Sequence, residues 1–383
     1  MHVMNKDTKF CVRTADRVPV QIARFLRGQI QSGALKPGER LPTTDDLVQQ
    51  WQVGRVSAHR ALALLAADGL IERKRHEGTF VRNEVNKGII GVVIGPDLAE
   101  ESIHFHRAII RAIQSALRGM SDRNWSCRIY DGVTGGDSRQ SVAESQGYQD
   151  IVRDIQSYSF KGIIQIIGDM TAKQVAALQF NLPTVRLGPS LEGTTADVMM
   201  DLYRFGEDCV KYIAGKGLRK IAYLRARLRT RRPFPDLEGV RRTAALLGLP
   251  KILSYHAQPD APGGYWLERA AYARTLELIA EWERDKNWPE ALLVPDDIAM
   301  KGVALALVRK GIEVPGRLLV VTMANEGIYH HYGIPVMRYE NSPSAVANAL
   351  FDILWKRIVN AKQPQLPVKI AGHLQTQNAI LSR

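Results

Sequence analysis

The sequence predicts an α/β protein: two parallel sheets flanked by helices, forming two lobes, behind a small N-terminal winged helix-turn-helix unit. Three observations predict it. Between Ile89 and Thr322, continuous apolar runs alternate with amphipathic segments, as expected of strands buried on both faces by crossover helices. The alternation comes in two series, one ending near Leu187 and the next opening near Asp201. Ahead of it, residues 15–82 read helix, short helix, turn, helix, hairpin. A chain of 383 residues also exceeds one ordinary domain. The expected divisions are a flexible N-terminus at 1–14, the winged unit at 15–82, a polar linker at 83–87 and the large domain at 88–383.

In the winged unit, Pro19 marks a helix start, and Val20, Ala23, Leu26 and Ile30 recur at helical spacing. Gly33 and Pro37-Gly38 end that helix. Thr43 and Thr44 offer N-cap oxygens to a short second helix, with Asp45 and Asp46 in the first turn, where the helix dipole favours acids. A third helix is expected from Ser57 to Asp68, with Ala58, Ala61, Leu62 and Leu65 inward and Gly69 at its end. Leu70–Arg73 and Thr79–Val81 read as strands around the basic turn Lys74–Gly78.

In the large segment the expected strands are Ile89–Ile94, Ser126–Tyr130, Gly162–Ile167, Thr184–Leu187, Lys220–Leu224, 252–256, Ala291–Val294 and Leu318–Thr322. The expected helices are His106–Met120, 144–156, 171–179, 201–214, 237–247, 267–284 and 298–310. Two such series imply two lobes with a cleft outside the carboxyl ends of the strands, where ligands bind in open α/β sheets.

Composition narrows the class. The net charge is +13, and residues 1–86 hold fourteen Lys and Arg against nine Asp and Glu, about twice the basicity per residue of the remainder. A basic balance concentrated at one end favours nucleic acid. The three cysteines, Cys11, Cys127 and Cys209, are odd in number and far apart, which implies reduced thiols in a cytoplasm and no disulfide framework. No apolar run reaches the roughly 18 residues of a membrane span. The first twenty residues, with Lys6, Lys9, Arg13 and Asp16, do not read as a secretory signal. No G-x-S-x-G elbow, Walker loop or dinucleotide turn is present, so no catalytic residues and no cofactor are expected. His104-x-His106 and His330-His331 lack accompanying ligands at metal spacing, and no metal site is assigned.

The run Lys36-Pro37-Gly38-Glu39-Arg40-Leu41-Pro42-Thr43, followed by Leu47, Val53, Arg55, Arg60-Ala61-Leu62, Leu65, Asp68-Gly69-Leu70-Ile71 and Gly78-Thr79-Phe80-Val81, resembles the GntR family of bacterial regulators. The resemblance implies a DNA-binding head whose third helix enters the major groove. Its implied contacts are Thr43, Thr44, Arg55, Ser57, His59 and Arg60, with Lys74, Arg75 and Gly78 in the wing. The chain departs from the family pattern at Asp45, where an Arg is usual, and at His76, where a Gly is usual.

Residues 87–383 resemble, more diffusely, the sensor domain of LacI-type regulators, which has the periplasmic binding protein-like fold. The anchors are Ile89–Ile94, Phe160–Ile164, Asp201 with Gly206, Gly217–Ala222, Glu238-Gly239-Val240, Pro295-Asp296-Asp297 with Gly302, and Gly311–Pro315. This resemblance implies a small effector in the cleft, a homodimer, and an operator as the DNA partner. The implied effector contacts are Asp97, Phe105, Asp236, Trp266, Asp296, Asp297 and Asn325. Several usual sugar-gripping positions are changed: Asp236 stands where an Arg is expected and Asp296 where an Asn is usual. Ten basic residues and two acids lie between Lys216 and Arg242, with Arg225, Arg227, Arg229 and Arg231 alternating and Arg232 following. Arginine forks pair with carboxylate or phosphate, so Arg227 and Arg229 point to a sugar acid or phosphosugar beside the neutral sugars. Two alternatives stay open: a sensor kept only for dimerisation or a protein partner, and an enzyme fused to a DNA-binding head.

Overall fold

In the computed structural model the described residues are 18–31, 33–67, 70–74, 77–82, 88–98, 103–119, 125–134, 141–158, 160–168, 170–189, 195–226, 234–258, 266–360 and 366–375. The N-terminal unit consists of α1 (Val18–Gln31), α2 (Thr44–Trp51), α3 (Arg55–Ala67) and the antiparallel hairpin of β1 (Ile71–Lys74) and β2 (Gly78–Val81). Ile22, Leu26, Leu47, Leu62, Leu65, Ile71 and Val81 close a single core. Arg40 bridges to Phe80 on the outer edge of the hairpin. The third helix starts two residues earlier than the sequence pattern implied, because Gly54 accepts from Ser57 and Ala58 and draws Arg55 into the first turn.

The first lobe is built on the parallel sheet β13-β7-β6-β5-β3-β4. Its strands are β3 (Ile89–Ile94), β4 (Ser126–Tyr130), β5 (Phe160–Ile166), β6 (Thr184–Leu187), β7 (Val198–Met200) and β13 (Val368–Ile370). All six β3 residues are buried, which accounts for the continuous apolar run. One face carries α4 (His104–Gly119) and α11 (Pro343–Val359), and the other carries α5 (Gln146–Ser157) and α6 (Ala172–Ala177).

The second lobe has the order β14-β12-β11-β10-β8-β9, parallel except for β14. It consists of β8 (Ile221–Ala226), β9 (Leu253–Ala257), β10 (Ala291–Val294), β11 (Leu319–Asn325), β12 (Met337–Asn341) and β14 (His373–Leu374). Helices α7 (Leu202–Gly215) and α8 (Pro235–Leu246) cover one face, and α9 (Trp266–Arg284) and α10 (Asp297–Arg309) the other. Within each helix pair the contact is close. A Cβ on Gly302 of α10 would collide with the Glu268 carbonyl of α9, and one on Gly206 of α7 with the Asp236 carbonyl of α8.

The chain crosses between lobes three times: after β7, after β12 and after β13. The expected list of elements stopped at Thr322 and contained neither β12 nor α11. α11 is the last helix among the described residues yet packs on the first lobe, where Arg357 grips both carboxylate oxygens of Asp197.

Candidate DNA-binding face and inter-lobe cleft

In the winged unit, Thr43 caps α2 in a capping box with Asp46: its hydroxyl donates to the Asp46 carboxylate and accepts from the Asp46 N–H. These hydrogen bonds hold the Asp46 carboxyl below its ordinary range. Thr44 is the first helical residue. Arg55 opens α3, exposed, with its guanidinium 3.5 Å from Asp45. Asp45, where the family pattern has an Arg, therefore faces the first basic residue of the third helix. Ser57 is half-buried in the first turn, while His59 and Arg60 are exposed. Arg73 of β1 lies 3.3 Å from His59 Nε2 and donates to the His59 carbonyl at 3.4 Å, which ties helix to wing. In the sequence Arg73 reads as the start of the wing, with nothing to mark its contact with His59. In the wing, Lys74 pairs with Glu72 at 3.2 Å and sits over the Phe80 ring. Gly78 has φ +125°, and a Cβ there would stand 2.7 Å from the Arg40 guanidinium, so this glycine seats Arg40 against the hairpin. Arg75 lies outside the described residues.

The cleft is approached from the carboxyl ends of both sheets. On the first lobe, β3 leads to exposed Asp97, and α4 begins at His104 with Phe105 packed partly on the lobe core. On the second lobe, β10 and β11 bring Asp296, Asp297 and Asn325 together. Asp296 caps α10, accepting from the N–H groups of Ile298 at 3.0 Å and Ala299 at 2.7 Å. Desolvation there, and next the charge of Asp297, push its carboxyl up to about 6. Asp297 Oδ2 accepts from Asn325 Nδ2 at 3.1 Å and lies 3.6 Å from His330 Nε2. The Asp297 carbonyl accepts from the Tyr332 hydroxyl at 3.3 Å.

His330 meets His104 of the opposite lobe edge-on, with ring centroids 5.4 Å apart. Burial, then His330 and Lys301, hold the His104 imidazole below its usual range. The sequence reading weighed these histidines only as metal ligands. Among the described residues no group of three His, Cys, Asp or Glu is arranged to hold a metal.

Asp236 is placed differently from an effector contact. It is fully buried at the start of α8, accepts from the Tyr223 hydroxyl at 2.6 Å and pairs with the Arg225 guanidinium. The cause is the length of β8, which runs two residues beyond the expected Leu224. Tyr223 and Arg225 then fall on one face, and α8 lowers Asp236 onto both. Arg225 is correspondingly removed from the alternating arginine run as a free cation. Arg227 and Arg229 lie outside the described residues. Trp266 is half-buried at the first turn of α9.

Comparison with known proteins agrees with this fold. Residues 20–81 match the sequence model of bacterial regulatory proteins of the gntR family, and residues 210–376 match that of the periplasmic binding protein-like domain. The chain is 32% identical over 101 residues to the histidine utilization repressor of Pseudomonas aeruginosa, a match spanning 26% of this chain and 40% of that relative. The LacI family transcriptional regulator of Arthrobacter sp. FB24, solved in complex with lactose, superposes with TM-score 0.58 at 16% identity, over 77% of this chain and 100% of that one. The lac repressor dimer bound to operator and the anti-inducer ONPF superposes with TM-score 0.55 at 16% identity, over 75% and 92%. No helix among the described residues is long and apolar enough to cross a membrane. The chain thus joins a GntR-type winged helix-turn-helix head to a periplasmic binding protein-like domain whose structural neighbours are LacI-family regulators.

Proposed function

We propose that this chain is a cytoplasmic DNA-binding transcription repressor whose operator affinity is set by a small carbohydrate-type effector held between the two lobes. One observation carries the reading: a winged helix-turn-helix with exposed Arg55, His59 and Arg60 on α3 is joined in one chain to a two-lobed parallel-sheet domain with polar strand ends. α3 enters the major groove amino end first, Arg55 donates to a guanine edge, and Thr43, Thr44 and Ser57 hold phosphates. Lys74, Arg75 and Gly78 form the wing contact. Off DNA, Asp45 engages Arg55, so a guanine edge must compete with that carboxylate, which lowers the net gain of the specific contact.

In the cleft, Asp297 and Asn325 supply an acceptor and a donor for sugar hydroxyls. Asp97, Phe105 and Trp266 are further assigned contacts, and Arg227 and Arg229 favour sugar acids or phosphosugars. A structural neighbour with lactose bound supports the carbohydrate class. The effector shifts DNA affinity by its difference in affinity for the two lobe arrangements. The functional unit is a homodimer, and Leu305 and Val308, exposed together on α10, belong to the dimer face. A second reading is favoured by one contact: His104 and His330 already join the lobes. A sensor closed in this way would serve dimerisation or a protein partner alone.

Fluorescence anisotropy with DNA selected from a random pool tests the head. Arg55→Ala should weaken the selected site by about 1–3 kcal/mol while barely changing random DNA. Wild-type protein that retains no DNA overturns the reading. Thermal unfolding against neutral sugars, sugar acids and sugar phosphates tests the cleft, since a ligand at a hundred times its Kd adds about 2.7 kcal/mol. No stabilisation across that panel, with DNA binding intact, selects the second reading.

A further inference from the structure

Outside the cleft, the second lobe holds a groove of about 740 Å³ on the α7/α8 side of its sheet. Two elements make it. β9 is the last strand of the sheet, and its alternate residues Ser254 and His256 face the same way. Along α8, residues at helical spacing from Phe234 form the opposite wall: Leu237, Glu238, Arg241 and Arg242. Phe234 and Leu237 give an apolar floor. Arg241 and Arg242 are exposed, and among the described residues neither forms an ion pair. Glu238 is the acid of the lining. Glu207 is the other acid near Arg242, and its carboxylate is already hydrogen-bonded to Lys211.

We propose that this groove is a second ligand site, separate from the cleft, for a small organic acid. Its carboxylate is held by Arg241, Arg242 and the His256 ring, with the Ser254 hydroxyl as a further donor. Its carbon body lies on Phe234 and Leu237. The charge of the lining selects an anion, and guanidinium forks match a carboxylate. The apolar floor distinguishes an organic acid from inorganic phosphate, which has no carbon body to cover it. Glu238 at the wall disfavours a polyanion, whose neighbouring charges would meet it.

Occupancy would also be felt in the lobe interior. The Phe234 ring packs against His256 on one side, with centroids 5.7 Å apart. The Arg225 guanidinium lies 4.2 Å from the same ring, and Arg225 is the buried partner of Asp236. A ligand seated on Phe234 therefore presses on a ring that the Arg225 guanidinium of this ion pair covers.

Isothermal titration of the full chain with benzoate, hexanoate, inorganic phosphate and glucose tests the site. Three proteins are compared: wild type, the double variant Arg241→Ala/Arg242→Ala, and the cleft variant Asn325→Ala. Both arginines are exposed, so the double variant should keep the wild-type unfolding temperature, which a thermal melt verifies. Saturable 1:1 binding of benzoate or hexanoate is expected, weakened roughly tenfold or more in the arginine variant, as loss of charge-assisted hydrogen bonds requires. Asn325→Ala should bind as wild type does. Three outcomes overturn the proposal: no saturable binding of either acid, phosphate binding as tightly as the acids, or binding lost in Asn325→Ala and kept in the arginine variant. The last result would move the acid into the cleft and leave the proposed effector site standing.

Discussion

Two aspartates at helix starts of the second lobe look interchangeable in sequence and are opposite in physics. Asp236 forms one half of a buried ion pair, and its removal strands the Arg225 guanidinium where water cannot replace the partner. Asp236→Ala should destabilise the chain by about 3–5 kcal/mol in urea unfolding. A residue serving only as a ligand contact would show almost no such loss. Asp296 is a helix cap with a carboxyl raised to about 6 from an ordinary 3.8. A raised carboxyl binds its proton more tightly in the folded state, so stability falls as pH rises from 4 to 6, and the full penalty persists above 6. Asparagine keeps the capping oxygen and has no charge to desolvate. Asp296→Asn should therefore stabilise the protein at pH 7 by about 1–2 kcal/mol and leave it unchanged near pH 4. Chemical unfolding at the two pH values checks both halves of the statement.

At the scale of elements, the spacing between helices is set by glycines that the resemblance had marked only as pattern. Gly302 lets α10 lie on the α9 backbone at Glu268, and Gly206 does the same for α7 on α8. Gly302→Ala gains intrinsic helix propensity of about 1 kcal/mol. It also forces two well-packed helices apart, which costs about 1–3 kcal/mol or more, so a net loss in a thermal melt is expected. The strand that escaped the sequence reading has a physical explanation. β12 is wholly buried yet carries Arg338 and Glu340, which pair with each other at 2.9 Å inside the sheet. A search for continuous apolar runs passes over such a strand. α11 did leave a signal in Ser342-Pro343, a helix cap followed by a first-turn proline, with an apolar run behind it.

At the scale of the molecule, Leu305 and Val308 stand three residues apart on α10, each about half exposed. If they belong to the homodimer face, Leu305→Glu/Val308→Glu should yield a monomer in analytical ultracentrifugation at micromolar concentration. The same variant should lose affinity for a two-half-site operator and keep its affinity for one half-site. A double variant that remains dimeric places the interface on another surface.

The sequence by itself determined the order of the units, the two parallel sheets and most strand and helix cores, because strands covered on both faces must be apolar throughout and amphipathic helices must keep their period. The winged head was legible almost residue by residue, since its turns need glycine, proline and capping side chains at fixed offsets. Only the tertiary structure decided which polar groups face one another. Two extra residues on β8 turned Arg225 inward and converted Asp236 from an expected ligand contact into its ion-pair partner. The late return of α11 to the first lobe, and the meeting of His104 with His330, join residues far apart in the chain. Local patterning records how deeply each segment is buried. It holds no record of which distant segment supplies the partner.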